Sequence, residues 1–212
     1  MKHTLVAVVC SLGATAASAH EIDWKPYAGA AIAQNEFEDW SMGIPDDGSF
    51  TGGSIDDEST GFVLVAGVQP YEHFGLELAV HDFGETGFVA NSDGSGTTWE
   101  AGPVTQTFEM RSIDVNLVGR LPITQQWNVF GRVGISYYAA EWRFSGTMQP
   151  ATPVSGQVGE QTHQEPVFGA GVQYRFDHWG LVATWQARDF FQPNTDEASK
   201  ATSISLAAAY HW

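Results

Sequence analysis

The sequence predicts an all-β fold, an eight-stranded antiparallel up-and-down β-barrel that crosses a membrane, and three observations carry that prediction. Apolar residues recur at every second position over many segments, and no long stretch has the i, i+3, i+4, i+7 spacing of a helix. The connections between these segments alternate between very short and long. Aromatic residues collect where the short connections fall.

Composition sets the frame. The 212 residues are 43% hydrophobic and 16% charged, with a mean hydropathy of −0.16. Beyond the N-terminus no apolar run reaches the roughly 18 residues of a spanning helix, which excludes a helical membrane protein. A barrel is not excluded, because strands that alternate apolar and polar positions average to the hydropathy of a soluble chain. Nine Lys+Arg stand against 25 Asp+Glu, a net charge of −16. That balance argues against nucleic acid as a partner and against an anionic inner leaflet.

Residues 1–19 read as an export signal. Lys2 and His3 make a short polar start, an apolar run covers 5–12, and Ala17-Ser18-Ala19 is a small-residue cleavage site. Cutting after Ala19 leaves residues 20–212 as one barrel domain and removes Lys2, so 8 Lys+Arg face 25 Asp+Glu. Cys10 departs with the signal; Val8-Val9 before it do not suit a lipoprotein site. The mature chain can then hold no disulfide, and its stability must come from burial and hydrogen bonding.

Strands are predicted over 24–35, 61–69, 74–84, 108–121, 127–144, 166–176, 179–190 and 201–212. Short turns at 70–73, 122–126 and 177–178 join the second to the third, the fourth to the fifth and the sixth to the seventh. Long polar segments at 36–60, 85–107 and 145–165 make three of the other connections, and a shorter one at 191–200 makes the last. Sorting short turns to one rim and long loops to the other is the habit of outer-membrane barrels, whose termini lie on the short-turn, periplasmic side.

Each strand divides into an apolar and a mixed face. In the last, Ile204, Leu206, Ala208, Tyr210 and Trp212 oppose Ser203, Ser205, Ala207, Ala209 and His211. In the third, Leu76, Leu78 and Val80 oppose Glu77, Ala79 and His81; in the fourth, Ile113, Val115 and Leu117 oppose Ser112, Asp114 and Asn116. A soluble, lipocalin-like cup would turn the apolar face inward, and alternation alone does not choose. Three features point to apolar-out. The mixed face combines small residues with isolated charges, and only Lys25 and Lys200 remain as lysines after cleavage. Trp24, Tyr71, Phe74, Trp127, Phe176, Trp179 and Trp212 form a candidate interfacial girdle at the short-turn rim. The chain stops on an aromatic residue, which suits an outer-membrane assembly signal. Parity then places Glu77, Asp114, Asn116, Arg132, Gln173, Arg175, Gln186 and Arg188 in the lumen, where charges must be paired and hydrogen-bonded. They are expected to form a network that plugs the channel.

The segments FGLELAVHDFG (74–84), LVGRLPI (117–123), FGRVG (130–134), FGAGVQYRF (168–176) and SISLAAAYHW (203–212) occur in an order and spacing that resembles the OmpA-like outer-membrane barrels. The resemblance covers most of the mature chain and implies an eight-stranded barrel in the outer membrane of a diderm bacterium, with periplasmic termini and charges paired across the lumen. It departs from the family in carrying Gln173 where many relatives have Glu, and in ending on Trp212 instead of Phe. No peptidoglycan-binding domain accompanies it, so wall tethering is not expected.

Little else in the chain suggests chemistry. The first long loop carries Glu36, Glu38, Asp39, Asp46, Asp47, Asp56, Asp57 and Glu58, oxygen ligands that suit Ca2+ or Mg2+ in kind, but in no EF-hand spacing. The reading is a solvated acidic loop and no metal site. His3 and His20 fall at or before the cleavage junction, and the other histidines are dispersed without ligand spacing. A barrel hydrolase acting on lipid A would need a Ser activated by a His held by a carboxylate. Ser203, Ser205 and His211 share a face without an acidic orienter, while His81-Asp82 and His163 with Glu160 and Glu165 are loose candidates. Eight strands leave an interior only wide enough for side chains, which disfavours a porin and leaves a small pore as the alternative. The expected role is non-enzymatic, without cofactor: a monomeric barrel facing outer-membrane lipid and lipopolysaccharide, inserted by barrel-assembly machinery through its C-terminal strand, serving envelope integrity or surface interaction.

Overall fold

A computed structural model describes residues 24–38, 48–149, 152–191 and 198–212. The export signal, its cleavage point and Asp39, Asp46 and Asp47 of the acidic loop lie outside the described residues. The described chain is all strand and turn: β1 (Lys25–Glu38), β2 (Phe50–Asp56), β3 (Glu58–Tyr71), β4 (Phe74–Ser92), β5 (Gly102–Pro122), β6 (Trp127–Met148), β7 (Thr152–Phe176), β8 (Trp179–Phe191) and β9 (Ala198–His211).

Eight of these close into an antiparallel barrel in the order β1-β3-β4-β5-β6-β7-β8-β9, with β9 returning to β1. Register defines its shape. Followed from partner to partner, Tyr27 leads through Gly67, Glu77, Asn116, Gly134, Val167, Arg188 and Ala201 to Phe37, ten residues further up the starting strand. A stagger of that size tilts the strands strongly across the barrel axis and leaves every backbone group of the wall a neighbour, which is what lipid demands.

The apolar faces point outward. Ile32, Leu64, Leu76, Leu117, Ile135, Leu181, Ile204 and Leu206 are each about half exposed or more, with Ile32 at 70%, on a protein whose small interior faces are largely buried. A soluble cup would show the reverse. At the short-turn rim Trp24, Tyr71, Phe74, Trp127, Phe176, Trp179 and Trp212 are likewise exposed and face out, and Tyr210 packs edge-on against both Trp179 and Trp212.

Two expectations are corrected. The long connections predicted over 36–60, 85–107 and 145–165 are largely strand: β4 to β7 run 19, 21, 22 and 25 residues, about twice the 9–11 that span a bilayer. The eight predicted strands are also joined by a ninth, β2, which pairs only with the upper part of β4. Polar composition concealed these extensions, because a ladder standing in water needs no apolar outer face. Their inner faces are apolar all the same, with Phe88, Ala90, Trp99 and Val104 forming a buried cluster against Phe50, Phe144 and Met148.

A bulge between Asp82 and Glu85 makes the transition. Gly84 sits there at φ 78° and its N–H bonds to Asp82 Oδ1 at 3.0 Å; a side chain would strain in that left-handed conformation. Across the bulge the inward positions of β4 change from odd (Glu77, Ala79, His81, Phe83) to even (Thr86, Phe88, Ala90).

Candidate functional site

Polar side chains converge in the lumen, which is built in storeys. Glu77, Asp114, Asn116, Gln173, Gln186 and Arg188 are buried inside the barrel, and Arg132 and, at the lower end, Arg175 are partly buried.

The upper storey is an ion cluster around Asp114, which is 0% exposed. Arg188 donates through Nη1 to Asp114 Oδ1 at 2.9 Å and through Nη2 to Oδ2 at 3.0 Å, and also reaches Ser112 Oγ and Ser136 Oγ. Ser112 donates to Asp114 Oδ1 at 2.9 Å, and His81 Nε2 lies 3.0 Å from Oδ2. Four strands (β4, β5, β6 and β8) thus meet on one carboxylate. The Arg188 guanidinium also lies over the Phe83 ring, 4.8 Å from its centroid.

Lower down, Arg132 Nη1 pairs with Glu77 Oε1 at 2.8 Å, and Tyr27 Oη donates to Glu77 Oε2 at 2.9 Å. Tyr27 reaches across because it lies over Gly67, where any Cβ would overlap its ring. Arg120 stacks on the same Tyr27 ring at 4.6 Å and donates to Gln69 Oε1 at 2.5 Å. Gln173 donates its amide to His211 Nε2 at 2.9 Å.

The expected single polar network is therefore two separate clusters, and three of its proposed members stand apart from them. Asn116 has neither amide atom hydrogen-bonded, Gln186 Nε2 has no partner, and Arg175 has no acidic partner among the described residues.

Above the Asp114 cluster the barrel is closed by aromatic rings. Phe37, Phe83, Phe108, Tyr138 and Phe190 are nearly inaccessible to solvent and pack with Met110 and Trp142. Phe37 meets Phe108 and Phe190 edge-on, at centroid distances of 5.5 and 5.7 Å. Beneath them Asn35 donates to the Phe83 carbonyl and accepts from Ser203, tying β1 to β4 and β9. This plug was missed in the sequence because Phe37 fell in a predicted loop. The signal was present in the parity of the strands: Phe83, Phe108 and Phe190 occupy inward positions where a lipid-facing aromatic has no place.

The histidines singled out in the sequence take these partners. His81 points in and Asp82 out, the latter toward Arg111 at 3.1 Å. Ser112, His81 and Asp114 are brought together, but both Ser112 Oγ and His81 Nε2 engage the carboxylate, and all three are buried. A nucleophilic Ser must instead hand its proton to the His and face its substrate. His163 stacks on Tyr138 and approaches Gln161. In the acidic rim Glu58 accepts from Gln34 and Glu38 lies 4.0 Å from Lys200.

An outward apolar band, a basal aromatic girdle and a plugged lumen define an integral outer-membrane barrel. The chain belongs to the outer membrane protein β-barrel domain family, which it matches over residues 4–211. Solved structures share the fold at low identity. The attachment invasion locus protein Ail of Yersinia pestis, solved with the heparin analogue sucrose octasulfate, is 15% identical with a TM-score of 0.52, covering 89% of this chain and 99% of that one. Neisserial surface protein A is 14% identical with a TM-score of 0.52, covering 88% and 96%. OprG of Pseudomonas aeruginosa is 11% identical with a TM-score of 0.53, covering 89% and 95%. No curated protein matches the sequence.

Proposed function

We propose that this protein is a non-enzymatic barrel that supports the envelope and presents an acidic, strand-built surface to the outside, with lipid and lipopolysaccharide around it. The observation that carries the reading is the plug: five buried aromatic side chains over a matched ion cluster close the lumen, while β4 to β7 continue upward. Among the described residues the chain builds a wall and a raised platform, and the aromatic cluster stands across the lumen where a solute would pass. Ail is known here with a polysulfated ligand; a net charge of −16 makes a polyanion a poor ligand for this chain and favours cationic or neutral surface partners. Insertion through β9 and a monomeric barrel belong to the same proposal.

The test combines three measurements. Purified protein should migrate differently on gels before and after boiling, and should give little or no conductance in a planar bilayer. Lipid A from a deletion strain should match the parent by mass spectrometry, while envelope permeability or surface adhesion changes. A large stable conductance or altered lipid A would replace this reading with a pore or an enzyme.

A further inference from the structure

The lower lumen contains a cavity of about 40 Å3 lined by Tyr27, Glu77, Arg120, Arg132, Gln173 and Gln186 among others. Since one water needs roughly 10–15 Å3 by this measure, the space admits an ion with a water or two and excludes larger solutes. Its wall is unbalanced in charge. Arg120 and Arg132 line it, Arg175 stands one inward position below Gln173, and Glu77 is the single carboxylate among the described lining residues. Both Glu77 oxygens are already engaged, by Tyr27 and Arg132.

The wall is also unbalanced in hydrogen bonding. Arg120 Nε, Arg132 Nε and Gln186 Nε2 are buried without a hydrogen-bond partner among the described residues. All three are donors, against one such acceptor in the wall, Glu77 Oε1, which Arg132 Nη1 approaches at 2.8 Å as an ion pair. Buried donors without acceptors are uncommon and costly, and water can satisfy an N–H while leaving the excess positive charge uncompensated. The upper cluster, where Arg188 meets Asp114, shows the same barrel balancing a guanidinium fully.

We propose that the lower lumen is a binding site for a small inorganic anion of halide size, with Arg120, Arg132 and Gln186 supplying donors and Arg175 adding charge from below. The site lies beneath the plug, so its anion comes from the periplasmic side and is resident, not in transit. It contributes to folding by neutralising the guanidinium groups that the narrow lumen brings together.

The experiment uses the whole mature barrel. Crystals grown with bromide in place of chloride should show an anomalous peak in the cavity, and the thermal midpoint in detergent should be higher in chloride than in gluconate at equal ionic strength. The pair R120Q/R175Q should lose both effects, with apparent halide affinity at least about tenfold weaker, the loss expected from one charged hydrogen bond or more. Should that pair fail to show the heat-dependent gel shift of a folded barrel, Q186L removes a donor without touching charge, and its chloride dependence should fall. A folded wild type without a bromide peak, equal midpoints in the two salts, or variants that keep the full chloride effect would each overturn the site.

Discussion

The two ion clusters of the lumen use the same chemistry in unequal surroundings. Around Asp114 one carboxylate takes Arg188 twice and Ser112 once by hydrogen bond, with His81 Nε2 at 3.0 Å, and aromatic rings pack above it. Around Glu77 the carboxylate accepts from Tyr27 and pairs with Arg132 at 2.8 Å, yet Arg132 Nε and Arg120 Nε are left without hydrogen-bond partners among the described residues, and a cavity opens between them and the small residues of β9. The difference teaches that a narrow lumen does not by itself impose complementarity. The upper cluster is a structural lock joining β4, β5, β6 and β8, whereas the lower one keeps room and unspent donors.

The largest effect should come from breaking the lock. Arg188→Ala leaves Asp114 ionised and buried, a loss of about 3–5 kcal/mol. Urea-driven unfolding from lipid vesicles would measure it, and a midpoint equal to wild type would refute the view that this cluster holds the upper barrel. Next is the plug. Phe37→Ala removes the ring that contacts Phe83, Phe108 and Phe190 and should cost about 3–5 kcal/mol as a large-to-small core change. Combined with Phe108→Ala it should raise single-channel conductance above the near-silent wild type, while the same pair placed in the girdle, Phe74→Ala with Phe176→Ala, leaves conductance unchanged.

Smaller effects sharpen the contrast. Replacing both members of the lower pair, Glu77→Gln with Arg132→Met, should change stability by less than about 1 kcal/mol, because exchanging a whole buried pair for neutral groups is often neutral. The corresponding exchange above, Asp114→Asn with Arg188→Met, should be clearly destabilising, since Ser112, Ser136 and His81 lose the charges they were arranged around. Equal costs for the two exchanges, read from unfolding midpoints, would erase the distinction between lock and cavity.

Much of this was legible in the residues. Period-two alternation located the membrane-spanning part of all eight barrel strands and separated lipid-facing Leu117 from lumenal Asn116, because in a wall one residue thick each side chain has only two places to go. The outward exposure of the aromatic residues at the short-turn rim was legible for the same reason. Partners were not. Whether Arg132 meets Glu77 or Asp114 depends on the ten-residue stagger of the barrel, and register across eight strands is a global property that no single segment records. The upper extensions and the bulge at Gly84 escaped because polar strands standing in water carry no outer apolar signal, and a one-residue slip in parity is invisible until the partner strand is known.

The last prediction carries the comparison outside the wall. Arg143 Nη1 lies 2.6 Å from Glu109 Oε1, with Glu141 at 3.4 Å on its other nitrogen. On distance alone it would rank above Arg188–Asp114. Arg143 and Glu109, however, are 45% and 26% exposed, in the part of β5 and β6 that rises above the apolar band. Water and salt there screen the attraction, and holding two long side chains in one geometry costs conformational entropy that the remaining attraction barely offsets. Arg143→Ala should therefore leave the unfolding midpoint within error of wild type, and raising the salt concentration should not change that result. A drop as large as that of Arg188→Ala would show that separation between charges, and not their removal from water, decides what an ion pair contributes in this barrel.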